Sequence, residues 1–167
     1  MNSQIVIDRM KKTDWNQVRN IFIEGIHTGN ATFETGAPTW EEWDREHFSV
    51  CRLVARKGED VVGWAALTPI SKREAHAGAA EVSIYISGSS TGNGVGTKLL
   101  QVMVNASEDH DFWSLEANIF PENKSSISLH KKCGFTEVGV RHRLGKLNGV
   151  WRDVVILERR SAIIGVD

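Results

Sequence analysis

From Tyr85 to Leu100 the chain reads YISGSSTGNGVGTKLL, an extended apolar stretch that gives way through glycines to a helix-forming one. Such a join can hold phosphate groups on successive backbone N–H groups at a helix N-terminus. It can also present a serine nucleophile on a strand-to-helix turn. Gly88-Ser89-Ser90-Thr91-Gly92 satisfies G-x-S-x-G, and Asp109, Asp111, His130 and His142 follow in the order Ser, Asp, His. A nucleophile elbow turns directly into its helix, however, and here Asn93-Gly94-Val95-Gly96 intervenes. The triphosphate loop needs Gly-Lys-Ser/Thr, whereas Gly96 is followed by Thr97-Lys98; the dinucleotide fingerprint needs G-x-G-x-x-G, and the run is Gly92-Asn93-Gly94-Val95-Gly96. A plain connection seldom needs three alternate glycines, each costly in backbone entropy. Close approach of bare backbone to a phosphate-bearing ligand accounts best for the pattern.

The bulk of the sequence narrows the setting. With 167 residues, one domain spanning 1–167 with a continuous core is expected. Twenty Lys and Arg against 21 Asp and Glu leave a net charge of −1, no global field for nucleic acid or an acidic membrane. The six histidines and two cysteines, Cys51 and Cys133, show no metal-ligand spacing, so no metal is expected. No apolar run reaches the ~18 residues of a membrane span, and the start is not signal-like. A soluble cytoplasmic protein is the expectation.

The elements that would position the loop follow from periodicity. Ile5-Val6-Ile7 with Met10 reads as a strand, and Thr13 or Asp14 can cap a helix with Val18, Ile21, Phe22 and Ile26 on one face. Thr39 and Glu42 form a capping-box pair opening a second helix to about His47. Leu53 to Ala55, a turn at Gly58 to Asp60, and Val61 to Leu67 read as a hairpin, residues 69–80 as a loop, and Glu81 to Ser87 as a strand. Leu99, Val102, Met103 and Ala106 mark a helix, Trp113 to Ile119 a strand, and Asn123 to Lys132 a helix ended by Gly134. Two last strands, 136–147 and 150–158, meet at Asn148-Gly149, a tight-hairpin signal. The order β-α-α-β-β-β-α-β-α-β-β gives an α/β fold, a mixed sheet with helices on both faces.

Four motifs in order make the chain resemble the GNAT superfamily of N-acetyltransferases, and within it the phosphinothricin and methionine-sulfoximine acetyltransferase group. The family's R/Q-x-x-G-x-G/A loop is matched by Thr91 to Gly96, and its N-x-x-S-x-x-L-H/Y/F-x-x-x-G-F signature by Asn123, Ser126, Leu129, His130, Gly134 and Phe135. The group's T-A-T-F-D/E-T stretch resembles Asn30 to Thr35, and its E-x-S-V/I-Y-V/I strand resembles Glu81 to Ile86. The resemblance covers nearly the whole chain and implies a largely antiparallel twisted sheet.

It also implies a chemistry, direct attack of an acceptor amine on the thioester of acetyl-CoA. Backbone groups of Ile84, Tyr85 and Ile86 would take the pantetheine arm and polarise the thioester carbonyl. The N–H groups of Gly92, Asn93, Gly94, Val95, Gly96 and Thr97 would hold the pyrophosphate, and Asn123 would bond the coenzyme from the next helix. Glu81 is the candidate base, directly or through a water, beside the alternative of a plain surface carboxylate. His130 is the candidate acid for the leaving thiolate, beside the alternative of a structural histidine. Phe33 and Glu34, with Arg73, Glu74 and His76 before the strand, are the candidate acceptor contacts; Phe33 reads equally as core. The implied acceptor is a small, amino-acid-like amine, and the implied assembly a homodimer.

Two departures stand out. Thr91 replaces the family's usual Arg or Gln, which keeps open a coenzyme-binding module with weak or no catalysis. His76-Ala77-Gly78-Ala79-Ala80 replaces the group's usual Y-R-H-T-V, which undercuts phosphinothricin or methionine sulfoximine as the particular substrate.

Overall fold

The computed structural model describes residues 4–167. In chain order the elements are β1 (Ile5–Arg9), α1 (Trp15–Thr28), α2 (Trp40–Glu46), β2 (Leu53–Lys57), β3 (Asp60–Pro69), β4 (Ala79–Ile86), α3 (Val95–Asp109), β5 (Ser114–Ile119), α4 (Lys124–Lys132), β6 (Thr136–Leu147) and β7 (Val150–Arg160). The strands form one seven-stranded sheet in the order β1-β2-β3-β4-β5-β7-β6. Its β4–β5 pair is parallel and the remaining pairs are antiparallel. Among the described residues no helix is long and apolar enough to cross a membrane.

Alternation along the central strands separates two cores. Val54, Trp64 and Ala66 pack with Val18 and Ile21 of α1 and Trp43 of α2. Their sequence neighbours Ala55, Ala65 and Leu67 face the other way, onto Leu99, Leu100 and Met103 of α3. The helices stop where the chain dictates. α1 ends at Gly29 in the left-handed region (φ 71°), and α2 opens on the Thr39–Glu42 capping box. Asn148 (φ 49°) and Gly149 (φ 82°) make the tight turn between β6 and β7.

Several boundaries differ from the sequence reading. The segment read as a loop over 69–80 holds a 3-10 turn at Glu74–His76 and the first two residues of β4. Ala79 and Ala80 pair with Ser114 and Leu115, and two alanines in succession carry no alternation that periodicity could detect. α3 begins at Val95, four residues before Leu99, because Val95 is already buried (2% exposed). Trp113 stands outside β5, its N–H donating to Gly78 O at 2.8 Å. β7 runs on to Arg160, paired with Ser114.

One feature of the sheet positions the candidate site. β4 and β5 pair at Ala79–Ser114, Ala80–Leu115 and Glu81–Glu116, and then stop. Beyond that point β4 stays paired with β3 as far as Ile86, and β5 stays paired with β7 as far as Ile119. The sheet therefore opens as a wedge with Glu81 at its apex.

Candidate active site

The backbone of β4 on the open side of the wedge is free to bond. Ser87 N–H donates to Val62 O at 2.8 Å, so the antiparallel alternation turns the N–H and C=O groups of Ile84 and Ile86 away from β3, toward the side that β5 vacates. Side chains alternate likewise. Val82, Ile84 and Ile86 join the core under α3. Tyr85 takes the opposite face, stacked on Trp64 (5.0 Å) and edge-on to Phe22 (5.1 Å). Burial pushes its phenol up to about 12. Gly25 of α1 has to be glycine for this packing, since a Cβ there would lie 2.8 Å from the Tyr85 ring.

Two cavities meet at this strand. One, of about 680 Å³, fills the wedge between Val82–Tyr85 and Ala117–Phe120 and reaches Ser126 and His130 of α4. The other, of about 580 Å³, lies between β4 and α2. Both are in the size range of small-molecule sites. They share Thr32, Glu34, Glu81, Ser83 and Tyr85. Glu81 Oε1 accepts from Asn118 Nδ2 at 2.9 Å, and the same amide nitrogen bonds Glu116 at 3.1 Å. Burial, opposed by the Asn118 bond and assisted by the Glu116 charge, holds the Glu81 carboxyl above its ordinary value. A carboxylate raised this way is better matched to taking a proton near neutral pH.

At the far end of β4 the glycine run ends in the first turn of α3. The helix ladder opens with Lys98 N–H on Gly94 O. Among the described residues none of the N–H groups of Gly92 to Thr97 finds an acceptor within the chain. Gly92 (φ 80°) and Gly94 (φ 75°) are left-handed, and a Cβ built on either meets nothing within 4 Å. The result is a row of open donors at the positive end of a 15-residue helix, suited to a phosphate. Thr91 is turned back into the loop, its hydroxyl donating to Gly88 O at 3.1 Å. The serine-nucleophile reading does not survive. Ser90 is buried on a 3-10 turn, His130 bonds Ser126 O, and His142 faces Asp153 at 3.5 Å.

Asn123 and His130 both line the wedge, and each is hydrogen-bonded inside the chain. Asn123 Oδ1 caps α4 by accepting from Ser126 N–H (3.3 Å), and its Nδ2 donates to Asn30 O (3.2 Å). His130 is 2% exposed and edge-on to Phe135. Its Nδ1 lies 2.7 Å from Ser126 O; a carbonyl only accepts, so the ring proton sits on Nδ1. Burial holds this imidazole below its ordinary pKa, and Nε2 is buried without a partner among the described residues. The ring offers a lone pair and no spare proton, which is the opposite of what an acid for a leaving thiolate requires.

The acceptor candidates divide. Phe33 lines the wedge and also packs edge-on against Phe120 (4.9 Å), so its two readings coincide. Glu34 lines both cavities. Arg73, Glu74 and His76 are exposed on the turn before β4 and stand in neither wall. Sequence reasoning missed Asn118, whose only signal is an amide two residues after a carboxylate on one strand face. It also missed Arg152, which donates to Gly29 O (2.7 Å) and Asn30 Oδ1 (2.8 Å) while lying over the Phe120 ring (4.1 Å). Arg152 and Asn123 together fasten the segment after α1 that carries Phe33 and Glu34.

Comparison with known proteins agrees with this geometry. The model of the acetyltransferase (GNAT) family matches residues 15–135. A phosphinothricin N-acetyltransferase of Alcaligenes faecalis is 30% identical over 156 residues, 90% of this chain and 79% of the relative. An L-methionine sulfoximine/L-methionine sulfone acetyltransferase of Pseudomonas paraeruginosa is 28% identical over 99 residues, 59% of this chain and 58% of the relative. The crystal structure of a GNAT superfamily phosphinothricin acetyltransferase from Sinorhizobium meliloti, in complex with acetyl-CoA, superposes with a TM-score of 0.88 at 25% identity, covering 100% of this chain and 92% of that one. A wedge opened between parallel strands, a donor-rich turn at one end and a carboxylate at the other are thus found in a chain that belongs to the GNAT family of N-acetyltransferases.

Proposed function

We propose that the chain, as one domain over residues 1–167, transfers the acetyl group of acetyl-CoA to the primary amine of a small acceptor. The observation that carries this reading is the wedge between β4 and β5, bounded by the unpaired N–H groups of Gly92 to Thr97 and by Glu81. The donor row takes the pyrophosphate, and the free backbone of Ile84 and Ile86 takes the pantetheine arm as an added strand. Glu81 removes the proton of the acceptor ammonium, Asn118 holds that carboxylate in place, and the free amine attacks the thioester. A backbone N–H of β4 stabilises the oxyanion. His130 takes part as a neutral hydrogen-bond acceptor in the wedge wall; a thiol of pKa ~8.5 leaves as thiolate without its help, and that thiolate takes up the second proton, shed by the nitrogen after its attack. The relatives make phosphinothricin and methionine sulfoximine the first acceptors to try.

The reading extends to assembly and location. β6 is the outer strand of the sheet, and Val138, Val140, Leu144, Val150 and Trp151 of the β6–β7 hairpin are all exposed. An uncovered apolar edge of that kind suits a homodimer, and two free thiols suit the cytoplasm. The test is thermal melting with acetyl-CoA, ATP and NAD in turn, followed by thiol release with a panel of amines. Acetyl-CoA at about 100 times its Kd stabilises the fold by about 2.7 kcal/mol. A melt indifferent to acetyl-CoA, or raised more by NAD, overturns the assignment.

A further inference from the structure

The charge of the acceptor cavity points away from amino acids. The wall between β4 and α2 carries Glu34, Glu42, Glu46 and Glu81, and neither a lysine nor an arginine. His47, in the same wall, adds no cation at neutral pH. Its Nδ1 donates to Trp43 O at 2.7 Å, and burial holds the imidazole below its ordinary pKa. In the adjoining wedge the walls add Glu116 and one guanidinium, Arg141. An acceptor bearing an α-carboxylate would thus enter a region with five carboxylates and one exposed cation. Like charges without partners reject a ligand as effectively as paired charges retain one.

The same wall has the features that hold a cationic chain. Phe22, Trp64 and Tyr85 line it, giving aromatic surface for the methylenes of such a chain.

We infer that the acceptor is an aliphatic diamine, with one nitrogen at Glu81 on β4 and the second, as an ammonium, at Glu42 and Glu46 on α2. This rests on the transferase reading above and names the substrate class of that same cavity.

The experiment is thiol release from acetyl-CoA with four-carbon acceptors of matched length, namely butanediamine, butylamine and the terminal amino acid, beside phosphinothricin and methionine sulfoximine. At low ionic strength kcat/KM for the diamine exceeds that for butylamine about tenfold and that for the amino acid by more. The advantage shrinks as salt rises. Glu46→Gln lowers the diamine-to-butylamine ratio about threefold or more. Preference for any of the carboxylate-bearing acceptors overturns the inference and leaves the transferase reading standing. A diamine-to-butylamine ratio near one, untouched by salt and by Glu46→Gln, does the same. Absence of thiol release with every acceptor, in protein whose melt acetyl-CoA still raises, overturns the transferase reading and the inference with it.

Discussion

Replacing Gly94 by valine separates the conformational role of the loop from its binding role. Gly94 sits at φ 75° with nothing within 4 Å of a built Cβ, so the substitution causes no clash inside the chain. Its cost to folding is the left-handed backbone alone, about 1–2 kcal/mol for a residue with a Cβ. For a chain of 167 residues that is a fall in Tm of about 2–8 °C, leaving a folded protein to assay. The open space filled by the valine methyls is where a phosphate would meet the N–H groups that follow. Losing one charge-assisted hydrogen bond costs about 1.5–3 kcal/mol, which is about 10- to 150-fold in Kd. Gly58 supplies the control. It too is left-handed, at φ 65° with open space beyond its Cβ, but it lies in the β2–β3 turn. Calorimetric titration with acetyl-CoA and thermal melts on both variants decide the matter. Gly58→Val loses similar stability and binds normally, whereas Gly94→Val loses stability and binding. Equal affinities in the two variants would refute the phosphate cradle.

Three further outcomes follow from the same geometry. Glu81 has its carboxyl raised by burial, so kcat/KM rises with pH through a midpoint above the ordinary carboxylate range, and Glu81→Gln removes that limb in a pH–rate profile. The raised carboxyl favours the fold most below its unfolded value and progressively less as pH rises through the folded one, so Glu81→Gln gains stability relative to wild type toward neutral pH, read by melts at several pH values. His130, held below its unfolded value of 6.5, supports the fold above that pH and loses this support as pH falls through its folded pKa. His130→Phe therefore flattens part of the acid loss in melts, costs about 1 kcal/mol for the Ser126 bond, and keeps kcat within a few-fold, whereas a hundredfold fall in kcat would restore the acid role. Arg152→Ala frees Gly29 and Asn30, so the KM of the acceptor rises several-fold while calorimetry finds the Kd of acetyl-CoA within about twofold. Equal effects on both ligands would show a general loosening instead.

The parts of the site that sequence reveals are those whose chemistry is local. Gly92 and Gly94 announce themselves because left-handed backbone is costly for anything else, and Thr39 with Glu42 because a capping box is a four-residue device. The wedge is invisible at that level. Nothing in Glu81 to Ile86 or in Glu116 to Ile119 says that their pairing ends after three residues; that depends on where β3 and β7 hold their partners. Nearness in sequence also misleads. Arg73, Glu74 and His76 lie within eight residues of Glu81, yet the turn they occupy precedes the buried start of β4 and leaves them outside the cavities. Glu46 and Trp43 lie on a helix that the sequence marks only by its capping box, and they reach the cavity because α2 packs across the face of β3 and β4 that carries Trp64 and Tyr85.

Register ties the fold to its chemistry. The side-chain period of a strand is two, so sliding β4 by one residue against β3 would turn Val82 toward α1 and α2 and bury Glu81 beneath α3. The apolar face of β4, Val82, Ile84 and Ile86, forbids that slip, since it would place those three against α1 and α2 and leave an unpaired carboxylate in the larger core. The apolar side chains of this face are therefore what keeps Glu81, Ser83 and Tyr85 on the face of the two cavities. The last β4–β5 pair is Glu81 with Glu116, two carboxylates held side by side by a single Asn118 amide, and past this pair the strands separate. Burial at this apex, with the Glu116 charge assisting, is what raises the Glu81 carboxyl.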